Sequence, residues 1–232
     1  MAKNHMKRIT APKTWRVSRK DTNFITRPHP GGHQQALSIS LNTFLKEMTP
    51  TTQTTKETKY LLTKQDVLVN GTKKRAHKHQ VGIMDTITIP SQNKNFRITV
   101  DTKGKLTATE TTLEDAKQTI AKITGKKILK GKKVQINTLG GINIETDEKQ
   151  AKEYKTGDTL IISLPEKKIQ SHIKRENGTH VLVFTGKHAG KTGTLEEIKE
   201  GHAKIKTQKE TIQTNKAYVI ATGKTKPEVK IE

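Results

Sequence analysis

The chain contains no cysteine. Disulfides and thiolate-bound zinc are therefore excluded, and the composition suits a reducing cytoplasm. Aromatic residues make up only 3% of the chain and all hydrophobic residues only 30%. Over 232 residues, that supports several small modules better than one large core. No apolar run approaches the roughly 20 residues that a membrane span needs. The basic N-terminus lacks the apolar stretch of a signal peptide, so export is not expected. Acidic residues are the other shortage: 22 Asp and Glu stand against 44 Lys and Arg, a formal charge of +22. Such an excess is the footprint of a polyanionic partner. A membrane surface would also attract it, but no basic amphipathic helix with bulky apolar residues is evident.

What is present is recurrent short-range pattern. Residues 1–35 carry Lys3, Lys7, Arg8, Lys13, Arg16, Arg19, Lys20 and Arg27 against Asp21 alone. Pro12, Pro28, Pro30, Gly31 and Gly32 argue against regular structure there. The segment reads either as a solvated tail or as an arm that becomes ordered on a nucleic acid. Trp15, the only tryptophan, can stack on a base or pack on the protein's own surface.

From Leu37 the spacing changes. Leu37, Leu41, Phe44, Leu45 and Met48 predict a one-sided helix that ends at Pro50. Thr54 and Glu57 predict a capping box opening a second helix, which carries Lys56 and Lys59. Val67–Val69 is a short strand, and Asn70-Gly71 predicts a tight hairpin turn. Lys73, Lys74, Arg75 and Lys78 follow, giving the return strand a charged, solvated face. If helix and hairpin pack side by side, Lys56, Lys59, Lys73, Lys74, Arg75 and Lys78 form one phosphate-facing patch. His77 and His79 have the spacing of two ligands on one strand face, but no carboxylate or cysteine completes a metal site.

Residues 93–168 read as mainly β with one helix. Phe96, Ile98 and Val100 alternate with Arg97 and Thr99, predicting a half-buried strand, and Asp101–Lys105 a turn with Gly104 at positive φ. Thr112 and Asp115 open a helix with an apolar stripe of Leu113, Ala116, Ile120 and Ile123. A second basic run, Lys126-Lys127 and Lys130 to Lys133, reads equally as a mobile loop or a phosphate contact. Gly140-Gly141 predicts a turn between two strands, and Asp158 reads as a turn former ahead of a buried strand.

Near the end, Val181–Phe184 and Thr192–Leu195 flank a loop of Gly186, Lys187, His188, Ala189, Gly190 and Lys191. Glycines let a backbone approach a partner closely, and the lysines supply charge. The spacing does not fit a nucleotide-binding Walker loop. Ile205, Ile212, Tyr218, Val219 and Ile220 are candidates to close a small barrel, and the segment from Pro227 reads as a short tail.

The helix–helix–"VLVNG" hairpin with its closing Met84-Asp85-Thr86-Ile87 resembles the S-four RNA-binding domain. "VLVFTGKHAGKTGTL" resembles a KOW module. With "NHMKRITAPKTWRVSRK" at the start and "VDTKGKL" in the middle, the ordered set resembles the archaeal–eukaryotic small-subunit ribosomal protein family S-four-e over nearly all of the chain. The resemblance implies an α+β, multi-domain protein. Its parts are a basic N-terminal extension (1–40), an S-four-like domain (41–92), a central β-rich domain (93–168) and a KOW-containing, SH3-like β-barrel (169–232). It implies a structural constituent of the small ribosomal subunit in the cytoplasm, contacting ribosomal RNA and neighbouring ribosomal proteins by phosphate neutralisation and shape recognition. The RNA-binding candidates are Lys7, Arg8, Lys13, Trp15, Arg16, Arg19, Lys20, Lys56, Lys59, Lys73, Lys74, Arg75, Lys78, Lys187, His188 and Lys191. No catalytic constellation, metal site, cofactor or small-molecule substrate is expected, nor a membrane partner. The competing readings are an RNA-modifying enzyme with an S-four targeting module, and a free KOW-containing transcription or translation factor.

Overall fold

The computed structural model describes residues 5–207 and 210–229. Lys3 and the last three residues lie outside the described residues. The architecture is a succession of small antiparallel sheets with few helices.

The N-terminal segment is structured, contrary to the sequence expectation. Strands β1 (Met6–Lys7) and β2 (Phe24–Ile25) pair antiparallel, with Met6 opposite Ile25 and Lys7 opposite Phe24. Met6, Ala11, Trp15 and Ile25 are buried in the main core. Thr14 lends its carbonyl to the Leu106 amide at 2.7 Å, fastening the segment to the body. Four apolar side chains spread over twenty residues show no periodicity. Proline and glycine shape the path here without preventing its packing.

Strand β3 (Ser38–Ser40) leads into α1 (Leu41–Thr43), which continues as a π turn over Phe44–Met48. The expected helix thus starts later, and Leu37 falls in a 3-10 turn before β3. Phe44 packs edge-on against Phe96, with ring centroids 6.0 Å apart. Helix α2 (Thr55–Lys64) opens on the predicted cap: Thr54 Oγ1 accepts from the Glu57 amide at 3.2 Å, and Glu57 accepts from the Gln53 amide at 2.9 Å.

Strands β4 (Leu68–Val69) and β5 (Thr72–Lys73) form the predicted hairpin, with Asn70 and Gly71 at φ 49° and 71°. The return strand stops at Lys73, so Lys74–His79 is a loop rather than a strand face. Strand β6 (Gln80–Gly82) pairs with β3. Strands β7 (Thr86–Ile89), β8 (Lys94–Val100) and β9 (Leu106–Glu110) complete a sheet of order β5-β4-β7-β8-β9. That sheet runs across residue 92, where the sequence suggested a change of module.

Strand β8 is buried on both faces from Phe96 onward, not half-buried as its alternation suggested. Arg97 is fully buried and donates to the Asp115 and Gln118 carbonyls at 2.7 and 2.8 Å. Burial pushes its guanidinium down to about 10, against the pull of Asp115 and Asp85.

The helix expected after Thr112 is a single turn, α3 (Leu113–Ala116). Ile120 and Ile123 belong instead to the long strand β10 (Gln118–Ile128). The second basic run turns from β10 into β11 (Lys133–Thr138), which Gly140-Gly141 joins to β12 (Asn143–Asp147). Helix α4 (Glu148–Glu153) precedes β13 (Thr159–Ser163) and β14 (Ile169–Ile173), giving the order β12-β11-β10-β13-β14. Period-two alternation splits this sheet. Ile120 and its partner Ile161 join the main core, while Ala121, Ile123, Ile136, Leu160 and Ile162 form a separate small cluster.

The last sheet holds β15 (His180–Val183), β16 (Thr192–Lys199), β17 (His202–Lys206), β18 (Thr211–Asn215) and β19 (Val219–Gly223), in the order β18-β17-β16-β15-β19. Ile205, Ile212, Val219 and Ile220 are buried in it. Tyr218 is not: it is 39% exposed and lies over Gly186. The main core is more continuous than the composition implied, running from Met6 through every sheet to Val229.

Candidate RNA-binding surface

Charged side chains from elements distant in the chain gather at two places that involve the loops. The first is where α2, the Lys74–His79 loop and the N-terminal segment meet. The loop backbone is held by bonds from the Leu41 and Asn42 amides to the His79 and His77 carbonyls, both 2.9 Å, and from the His29 amide to Lys78 at 2.8 Å. Buried Asn42 donates to Thr26 at 2.6 Å and Thr55 at 3.3 Å, joining the segment to α2. Burial, and then the neighbouring Lys59 and Lys78, lower the His77 pKa. His79 is lowered in the same way, by burial and then Lys74. Lys56, Lys59 and Arg75 are exposed, and Lys74 and Lys78 are half-buried. Lys73 is already ion-paired with Asp66.

The second place is a cleft of about 190 Å³ between the N-terminal segment, the β8–β9 turn and the 184–191 loop. Lys13, Lys103, Gly104, Phe184 and Gly186 line it, and Lys187 is exposed on the same loop. Gly190 sits at φ +82°, where a Cβ would lie 2.1 Å from the Asp101 carbonyl oxygen. The loop's close approach is therefore to the protein's own β8–β9 turn. His188 is half-buried and Lys191 is ion-paired with Glu210. Lys103 was visible in "VDTKGKL", but only tertiary packing places it beside Lys13.

Two candidates are corrected. Trp15 is 2% exposed and packs in the core, so it does not stack on a base. Arg8 is 5% exposed and grips Glu47 with two bonds, of 3.0 and 2.6 Å. Its Nε also donates to the Ser18 carbonyl, so it staples the segment down rather than meeting a phosphate. Lys7, Lys13, Arg16, Arg19 and Lys20 are exposed. Among the described residues, no group of three or more His, Cys, Asp or Glu is placed to hold a metal ion, and no helix is long and apolar enough to cross a membrane.

A mostly β chain of small sheets, charged +22 and with basic side chains gathered on its N-terminal segment and loops, has the build of a protein that docks on a polyanion. Family models match in two places: "Ribosomal family S4e" over residues 92–169 and "RS4NT (NUC023) domain" over residues 2–36. The small ribosomal subunit protein eS4 of Methanosphaera stadtmanae is 36% identical, over 99% of this chain and 96% of its own. That of Methanocaldococcus jannaschii is 35% identical, over 99% and 98%. The crystal structure of the 30S ribosomal protein S4e from Thermoplasma acidophilum matches with a TM-score of 0.69 at 29% identity, over 82% of this chain and 96% of that one. The chain belongs to the S4e family of ribosomal proteins, structural constituents of the small subunit.

Proposed function

We propose that the chain binds small-subunit ribosomal RNA through its two basic clusters and contacts neighbouring ribosomal proteins, acting by phosphate neutralisation and shape rather than catalysis. The observation that carries this is the N-terminal segment's place in both clusters. It brings His29 to the Lys74–His79 loop, where its amide donates to the Lys78 carbonyl at 2.8 Å, and Lys13 to the cleft with Lys103. One folded segment thereby holds two cationic surfaces in fixed relation, which suits a rigid, folded RNA. In this reading 1–40 is a docked extension, 41–92 an S-four-like unit whose sheet continues through β8 and β9, 93–168 a central β-rich unit whose sheet takes in β14, and 169–232 a KOW-like unit. The order of α1, α2 and the β4–β5 hairpin supports the S-four likeness, and the glycine-rich 184–191 loop between β15 and β16 supports the KOW likeness.

The test is a salt titration of binding to small-subunit ribosomal RNA. The Lys73/Lys74/Arg75 triple to Gln is expected to weaken binding more per charge than Lys132/Lys133 to Gln. Each phosphate interaction removed should reduce the log affinity–log salt slope by about 0.7 to 0.9. Lys74 and Arg75 should account for most of the effect, because Lys73 is occupied by Asp66. Equal weakening per charge in the two variants would reject the hairpin loop as a specific contact.

A further inference from the structure

The β1–β2 ribbon has two unlike faces. Met6 and Ile25 are opposite one another and buried, at 8% and 7% exposure. Lys7 and Phe24, the next pair, point the other way, and Phe24 is 57% exposed. The chain has four phenylalanines, and Phe44, Phe96 and Phe184 are all buried. Of the four, Phe24 is the one that shows its ring to solvent. His5 packs against it at 88°, with centroids 5.5 Å apart, which steadies the ring's orientation.

Beside the ring lies an open cleft of about 810 Å³, within the ~300–1,000 Å³ usual for small-ligand sites. Lys7, Ile9, Arg19, Lys20, Asp21 and Phe24 line it. Ile9 is 69% exposed, a second apolar surface in the same cleft. Arg19 donates to the Ile9 carbonyl at 3.0 Å, fixing a guanidinium at this wall. The one carboxylate, Asp21, is outnumbered by Lys7, Arg19 and Lys20, so the cleft keeps a net positive charge. The cleft therefore offers an exposed aromatic face, an aliphatic surface and three cations. A flat apolar group carrying negative charge matches it, and an unpaired nucleotide has that chemistry.

We propose that this cleft receives one unpaired nucleotide of RNA, its base stacked on Phe24 and its flanking phosphates met by Lys7, Arg19 and Lys20. This rests on the RNA-binding reading above and adds a base-stacking site to contacts that otherwise neutralise phosphates.

The experiment is a salt titration of the full chain against whole small-subunit ribosomal RNA, with wild type, Phe24→Ala and Phe24→Trp. Phe24→Ala should bind about 5- to 150-fold more weakly, the range for losing one base–aromatic stack. The salt slope should be unchanged, since no charge is removed. Phe24→Trp should retain wild-type affinity. Because the ring is exposed, melting temperatures should agree among all three. Wild-type affinity for Phe24→Ala would overturn the proposal. So would normal RNA affinity combined with failure to enter small subunits, which would assign the ring to a neighbouring protein. Absence of RNA binding by the wild type would instead overturn the RNA-binding reading itself.

Discussion

Replacing Gly190 by alanine isolates the contact that fastens the 184–191 loop to the β8–β9 turn. At φ +82° an alanine incurs the left-handed backbone cost, about 1–2 kcal/mol. Its Cβ would also lie 2.1 Å from the Asp101 oxygen, 2.3 Å from the Asp101 carbonyl carbon and 2.6 Å from the Thr102 nitrogen. All three are backbone atoms of a turn closed by bonds between Gly104 and Asp101 at 2.7 Å and between Asp101 and Lys105 at 2.8 Å. They cannot yield without moving the turn, which at the scale of overpacking costs about 1–3 kcal/mol more. The expected destabilisation is about 2–5 kcal/mol in total. Gly131→Ala is the control: its φ is +77° but nothing lies within 4 Å, so only the backbone cost applies. The assay is equilibrium urea unfolding followed by the fluorescence of Trp15, the sole tryptophan and a buried one. The Gly190→Ala midpoint should fall well below that of Gly131→Ala, at similar slope. Equal midpoints would refute the argument that close backbone approach, and not turn geometry alone, requires glycine here.

Two further predictions concern pH. Burial opposes the charging of His33, but the Asp85 carboxylate, 2.9 Å away, outweighs it by charge and hydrogen bond, so the His33 pKa is raised. The stability from this pair is fully present below the ordinary histidine value of 6.5 and is lost as pH rises through the raised one. Urea midpoints of wild type should show that decline and His33→Gln should lack it; matching profiles would refute the assignment. Lys122 is pushed down to about 8, first by burial and then by Arg175, while its ammonium donates to the Ala217 carbonyl at 2.6 Å and lies 5.5 Å from the centre of the Phe184 ring. The unfolded chain then binds more protons between about 8 and 10.5, so stability should rise with pH across that window in wild type and not in Lys122→Met. A rise of the same size in the variant would show that other groups cause it.

The features legible in the sequence are those set by neighbours along the chain. The Thr54–Glu57 cap, the Asn70-Gly71 hairpin, the Asp101–Lys105 turn and the Gly140-Gly141 turn all form where expected. Each rests on side-chain or φ preferences that act within four or five residues. The charge excess and the ordered motifs also pointed to the ribosomal family, which the relatives bear out over 99% of the chain.

Tertiary structure decided the rest. Ile120 and Ile123 have helical spacing but lie in β10, because pairing with β13 and β11 outweighs a local pattern of four residues. Arg97 and Arg8 resemble surface cations in sequence. Their burial depends on carbonyls and a carboxylate supplied from 18 to 39 residues away. Trp15 is hidden by packing that no periodicity announces, whereas Phe24, in the same segment, is left exposed. Composition and local spacing thus determined that the chain is basic, suited to a polyanionic partner and built of short strands and turns, while the ordered motifs carried its resemblance to the ribosomal family. Which cations remain available to a partner was decided only by tertiary packing, since burial and pairing depend on groups distant in the chain.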